Sequence, residues 1–121
     1  MEIFDTTQSL LEQALSGSSL RQSVLANNLA NANTPNYKRS DVNFGATLAQ
    51  AMGGINPAAS IRDTRFAPQV DTSAAERADG NNVDVATEMA SLSENSLTFQ
   101  TLAEVTKSRI KMLEIAMGVQ R

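Results

Sequence analysis

Apolar and small residues recur at helical spacing from Phe4 through Leu11, Leu15, Ser18, Leu25 and Leu29 to Ala32, with Gln8 and Gln22 as large polar breaks, which predicts an amphipathic helix. Gly17 and the serines at 16, 18 and 19 weaken its middle. Asn33-Thr34-Pro35 ends it, because proline disfavours the helical region in the residue before it. A cleaner pattern follows in the last third. Val85, Met89, Leu92, Ser96, Phe99, Ala103, Thr106, Ile110, Leu113 and Met117 alternate by four and three residues with no charge among them, which predicts a heptad helix. Asp84 is its expected N-cap, Glu88 lies near the positive end of the helix dipole, and Lys107, Arg109 and Lys111 lie toward the negative end.

The segment between them is punctuated by Gly53-Gly54, Pro57, Pro68 and Asp79-Gly80-Asn81-Asn82, and residues 50–80 read as irregular and mobile. A short extended piece is expected from Tyr37 to Phe44 and a helical turn from Ala46 to Met52. The expected fold is mainly all-α, with long N- and C-terminal helices as an antiparallel coiled-coil-like pair. Its divisions are residues 1–34 for the first helix, 35–83 for a turn and irregular middle, and 84–121 for the heptad helix.

The last helix carries a second stripe, Leu102, Val105, Met112, Ala116 and Val119, interrupted at Arg109 and joined by Ile115. One partner helix cannot cover both stripes, so neighbouring chains are expected to complete the core. The other solution is a three-helix bundle using a helix in the middle region. Composition sharpens this, because 17 of the 121 residues are alanine and only 4% are aromatic, so the core of a lone chain is thin.

No His and no Cys are present, which removes imidazole bases, thiol nucleophiles and the usual zinc ligands. A net charge of −3 offers no basic field for nucleic acid or an anionic membrane. Acids stand where a signal peptide has bases in Met1-Glu2-Ile3-Phe4-Asp5, and no stretch has the about 20 apolar residues of a membrane span. The scattered carboxylates and the absence of a glycine-framed serine give catalysis no footing, so no enzyme, cofactor, metal, catalytic residue or small-molecule substrate is expected. Residues 79–84 offer several oxygens, but glycine falls second and Ala90 holds the place of the bidentate glutamate of a calcium loop, so they read as a turn into the Asp84 cap. Lys38-Arg39 reads as solvated surface.

Four asparagines within residues 27–33 are poor choices for a helix interior, since each competes for backbone hydrogen bonds. Asn27 and Asn31 share a face beside Ala26 and Ala30, which suggests amides that fix register against another backbone where small residues permit close approach. Thr34-Pro35-Asn36-Tyr37 has the form of a β-turn.

The run Ala26-Asn27-Asn28-Leu29-Ala30-Asn31-Ala32-Asn33-Thr34-Pro35-Asn36-Tyr37 closely resembles the N-terminal signature of bacterial flagellar rod and hook proteins. Residues 11–15, residues 21–26, Tyr37-Lys38-Arg39 with Asp41 and Phe44, and residues 79–84 followed by Glu88-Met89 are similar to the flagellar basal body rod protein family, in particular its proximal rod members. Asn36 stands where many relatives have glycine, and Ala86-Thr87 replace more charged residues. The resemblance implies a structural subunit of the periplasmic rod, needed for flagellum assembly and motility, that reaches it through the flagellar type III export gate without a Sec signal peptide. It implies as partners further copies, other flagellar rod proteins, a FliE-type adaptor near the membrane ring and the export gate. Phe44 and Leu48 fit a short pattern, phenylalanine followed four residues later by an apolar residue, that the gate is thought to recognise in relatives; residues 66–70 and 99–103 nearly fit it, and local packing is the other role for the pair. The assembly seam is assigned to Phe4, Leu11, Leu15, Leu25, Leu29, Val85, Met89, Leu92, Phe99, Ile110, Leu113 and Met117. The alternative function is a cytosolic helical adaptor or chaperone for a secretion system.

Overall fold

The computed structural model describes the backbone of residues 2–118 and the side chains of residues 6–118. Two long helices dominate, α1 at Glu2–Ala30 and α4 at Val85–Ala116. Between them come β1 (Ser40–Asp41), α2 (Phe44–Met52), α3 (Pro57–Arg62) and β2 (Gln69–Val70). α1 and α4 run antiparallel: Asn28 meets Glu88 near one end, Gln22 meets Ser96, and Ser18 meets Asn95 farther along. At about 1.5 Å per residue each is over 40 Å long, so they lie side by side with the small elements on one flank.

Local chemistry explains most boundaries. The Asp84 side chain accepts the Thr87 N–H and opens α4, as its cap position requires. α1 closes at Ala30, with turns continuing through Asn36, where the Asn81 amide and the Arg77 guanidinium take the carbonyls of Asn31, Thr34 and Ala32 that further helix would have used. Tyr37 N–H donates to the Thr34 carbonyl at 3.3 Å and Asn36 takes a φ of 60°, so residues 34–37 form a type II turn with proline second. That left-handed φ is why glycine or asparagine suits the position.

The middle is more ordered than a uniformly irregular 50–80 segment. α2 begins at Phe44, two residues before the expected turn, because Asn43 caps it. Asn56 caps α3 and Pro57 occupies its first turn, where a missing N–H costs nothing. β1 and β2 pair antiparallel, Ser40 opposite Val70 and Asp41 opposite Gln69. Ala14, Leu48 and Ile61 form the buried apolar cluster, with Leu10, Phe44, Ala51, Phe66 and Leu102 packed around it. Gly17, expected to weaken α1, is instead a contact point: a Cβ there would lie 2.5 Å from Phe44 Cβ.

The line of α4 turned toward α1 differs from the most apolar one. Glu88 and Asn95 are buried, with Leu102 and Arg109 following at seven-residue intervals and partly buried. Leu92 and Ser96 border this seam, whereas Val85, Met89, Phe99, Ile110, Leu113 and Met117 are exposed. On α1, Leu25 is buried and Leu11, Leu15 and Leu29 are partly so; the Phe4 side chain and Val119 lie outside the described residues. Among the described residues no helix is long and apolar enough to cross a membrane.

Candidate functional site

The asparagine-rich end of α1, the type II turn, β1, the turn at residues 79–82 and the first turns of α4 converge on one polar knot. Asn28 is its centre and is 1% exposed. Its amide nitrogen donates to the Ser40 carbonyl at 2.7 Å and to Glu88 Oε2 at 3.2 Å. Its amide oxygen accepts the Ser40 N–H at 3.0 Å and the Tyr37 hydroxyl at 3.2 Å. Asn28 thus pairs with Ser40 as one peptide pairs with another, which docks β1 on α1 with every polar group used.

Asn81 and Asn82 act in the same way from the other side. Asn81 Nδ2 donates to the carbonyls of Asn31 and Thr34 at 2.9 and 2.8 Å, and its Oδ1 accepts the Val83 N–H at 2.7 Å. Asn82 accepts the Arg39 N–H and donates to the Asp71 carbonyl, both at 2.7 Å. Arg77 donates to the carbonyls of Ala32 and Val83. Gly80, at φ +79°, lies so close to Asn36 that a Cβ would sit 2.4 Å from its Oδ1. Residues 79–84 therefore form a structural turn, and among the described residues no group of three acidic side chains is placed to hold a metal ion.

A partly buried ion-pair chain, with Glu88 at its buried end, crosses the knot. Arg39 pairs with Glu88 and Asp71, and reaches Asp41 at 3.5 Å. Arg21 forks onto Asp41 at 2.8 and 3.2 Å. Arg39 has a side chain only 11% exposed, which corrects its assignment to solvated surface; Lys38, half-buried, bonds to the Gly80 carbonyl and pairs with Glu76. Burial opposes the charge on Arg39, but its bonds to Glu88 and Asp71 outweigh that and raise its pKa. Burial likewise pushes the Asp41 carboxyl up, while the Arg21 bond, the Val42 N–H and both guanidinium charges overcome it and hold the group below the usual carboxylate range. The Arg39–Glu88 pair is the costly one to break, since a surviving Glu88 would keep an uncompensated charge in a buried place.

The amides expected to set register do so through Asn28, Asn81 and Asn95 more than through Asn27 and Asn31. Asn95 donates to the Ser18 carbonyl at 2.8 Å and to Gln22 Oε1 at 2.7 Å, across the α1–α4 seam. Asn27 binds the Tyr37 hydroxyl, and Asn31 bonds back to the Asn27 carbonyl and accepts from Thr34. Ala26 and Asn33 are exposed, as are Thr34 and Pro35 on the turn. Phe44 and Leu48 belong to the apolar cluster, so their pairing has a packing role in the folded chain. The arrangement holds helices and turns in fixed register.

A family model described as "Flagella basal body rod protein" matches residues 11–38, the stretch that carries the central asparagines and the type II turn. Over nearly its whole length the chain is similar to curated relatives named "Flagellar basal body rod protein FlgB". That of Bacillus subtilis (strain 168) is 32% identical, with 94% of this chain and 95% of the relative covered. That of Borrelia hermsii is 34% identical, covering 95% and 98%, and that of Aeromonas hydrophila 36%, covering 91% of each. A signature seated in the polar knot and matches that run through both long helices have one source: the chain belongs to the family of the flagellar basal body rod protein FlgB.

Proposed function

We propose that this chain is a structural subunit of the flagellar basal body rod, which assembles with copies of itself and other rod proteins through its terminal helices. The observation that carries the reading, beside the family, is the bare apolar line of α4. Phe99, Ile110, Leu113 and Met117 are between 38% and 72% exposed in the single chain. Full burial of such a side chain is worth about 1.5–3 kcal/mol, so a neighbour that covers the line gains strongly while the lone chain leaves it wet. The polar knot supplies direction, since Asn28, Arg39 and Glu88 set how α4 leaves α1, and α4 then presents its line at a fixed angle.

In this reading the chain travels through the flagellar type III export gate and lodges beside a FliE-type adaptor at the membrane end of the rod. Phe44 and Leu48 are the segment the gate reads. Because both pack in the folded chain, the gate meets them before α2 docks on α1.

Leu113→Asp and Phe99→Asp, expressed in cells lacking the native copy, test the proposal. Each places an unpaired charge in the line without touching the buried cluster. The expected result is loss of the protein from purified basal bodies and non-motile cells, with the soluble protein still present. Normal motility with both variants refutes the role of the line, and wild-type protein confined to the cytosol favours an adaptor or chaperone instead.

A further inference from the structure

Asn82 stands where a rung of the sheet belongs. β1 and β2 pair with Ser40 opposite Val70 and Asp41 opposite Gln69, and the same register sets Arg39 opposite Asp71. Asn28 takes both polar groups of the Ser40 backbone, so Ser40–Val70 is the pair without bonds of its own and Arg39–Asp71 is the next pair due to exchange two. One of these two is made. The Asp71 N–H donates to the Arg39 carbonyl at 2.9 Å, whereas the Arg39 N–H donates to Asn82 Oδ1 and the Asp71 carbonyl accepts from Asn82 Nδ2, each at 2.7 Å. The Asn82 amide thus wedges the end of the ladder open and serves as partner to both halves of the missing bond.

The wedge joins the sheet to the longest helix. Asn82 lies two residues before the Asp84 cap of α4, and its neighbour Asn81 holds the carbonyls of Asn31 and Thr34. Adjacent side chains therefore tie the lead-in of α4 to two different bodies, Asn81 to the turns after α1 and Asn82 to the two strands. The second tie is replaceable. Because the register makes the Arg39 N–H and the Asp71 carbonyl natural partners, Asn82 can leave without orphaning either of them. It also has a place to go. A cavity of about 740 Å³ opens beside Asn82, with Asp84, Thr87, Glu88 and Ser91 among its walls, whose side-chain oxygens suit an amide N–H.

We propose that Asn82 is a catch with two positions. Engaged, as in this structure, it ties the lead-in of α4 to both strands and fixes the angle of the helix. Released, its side chain turns into the cavity and the Arg39 N–H bonds the Asp71 carbonyl directly. The start of α4 is then held by Asn81 and by the bonds of Glu88 to Arg39 and Asn28. The sheet gains its rung and α4 gains freedom to change its angle to α1. In the rod reading, the released position lets α4 settle against its neighbours and the engaged one then holds the angle. The catch belongs to the single chain, so its failure leaves that reading intact.

Relaxation dispersion on the isotope-labelled whole chain reads the two positions without any substitution. The backbone amides of Arg39 and Asp71 and the side-chain amide of Asn82 should share one exchange rate. Asn82→Ala removes the catch. A scalar coupling across an Arg39–Asp71 hydrogen bond, from the Arg39 nitrogen to the Asp71 carbonyl carbon, should then appear where the parent chain shows none. In the same variant the distance distribution between spin labels on Ser23→Cys and Glu104→Cys should broaden; both sites are exposed and the chain has no native cysteine. Flat dispersion at all three groups overturns the second position, whether or not the variant folds. A folded Asn82→Ala that lacks the coupling shows that the strands do not close and overturns it as well, and an unchanged distance distribution overturns the link to α4.

Discussion

Asn28→Asp is nearly isosteric and should be among the most damaging single changes in the knot, in a way that pH reveals. It removes the two bonds that Asn28 donates, to Ser40 and Glu88. A bond to a neutral carbonyl contributes about 1 kcal/mol and one to a charged group about 1.5–3 kcal/mol. It also sets a second carboxylate against Glu88, where the amide nitrogen now stands 3.2 Å from Oε2. Two like charges about 4 Å apart repel by about 4 kcal/mol at an effective dielectric of 20. The alternative, holding the new aspartic acid neutral at pH 7, costs about the same, and at pH 5 only about 1.5 kcal/mol. Its folded pKa is therefore raised, and the penalty is present above the unfolded pKa and relieved as pH falls. Asn28→Ala loses the same bonds without the charge and serves as the reference at each pH. Tyr37 is the sole tyrosine, no tryptophan competes with it, and its hydroxyl bonds to Asn28, so its fluorescence in urea reports on this site. The aspartate variant should be less stable than the alanine variant by up to about 4 kcal/mol at pH 7, and the gap should narrow by over 2 kcal/mol at pH 5. Equal stability of the two at both pH values would refute the buried Asn28–Glu88 contact.

Gly17→Ala should destabilise by about 1–3 kcal/mol because the new methyl meets Phe44, although the same change at an open helix site stabilises by up to about 1 kcal/mol; thermal melting decides the sign. Since the Asp41 carboxyl is held below its ordinary range, its share of stability is present above the unfolded value near 4 and is lost as pH falls through the lower folded value; Asp41→Asn should flatten the acid limb of an unfolding titration. Phe44→Ala with Leu48→Ala should stop export while synthesis continues, measured as cellular against secreted protein; undiminished secretion would leave the pair with packing alone.

Both long helices are legible because their signals are local. Asp84 caps α4 three residues before the N–H it accepts, and Pro35, in the turn that follows α1, keeps the helix from running past residue 33. The turn at residues 34–37 is legible for the same reason. Which line of α4 faces inward is not, because the most apolar line is not the one α1 selects: Glu88 and Asn95 are drawn inside by Asn28, Arg39, Ser18 and Gln22. Arg39 finds its carboxylates 32 and 49 residues away, beyond any periodicity. α3 did carry a local signal in Asn56-Pro57, a cap followed by a first-turn proline, although its six residues are too few to show a helical period. Gly17 shows how one residue type has two meanings, a weak helix former in isolation and a close-approach site once Phe44 arrives.

We propose a division of labour in which the knot folds within the chain and the outer turns of α4 are completed by neighbours. Amide hydrogen exchange on the isolated chain and on the same protein in purified basal bodies tests it most directly. Amides around Asn28, Ser40, Asn82 and Asn95 should be protected in both, while those from Val105 to Met117 should exchange freely in the isolated chain and be protected only in the basal body. Equal protection along the whole of α4 in an isolated monomer would contradict it.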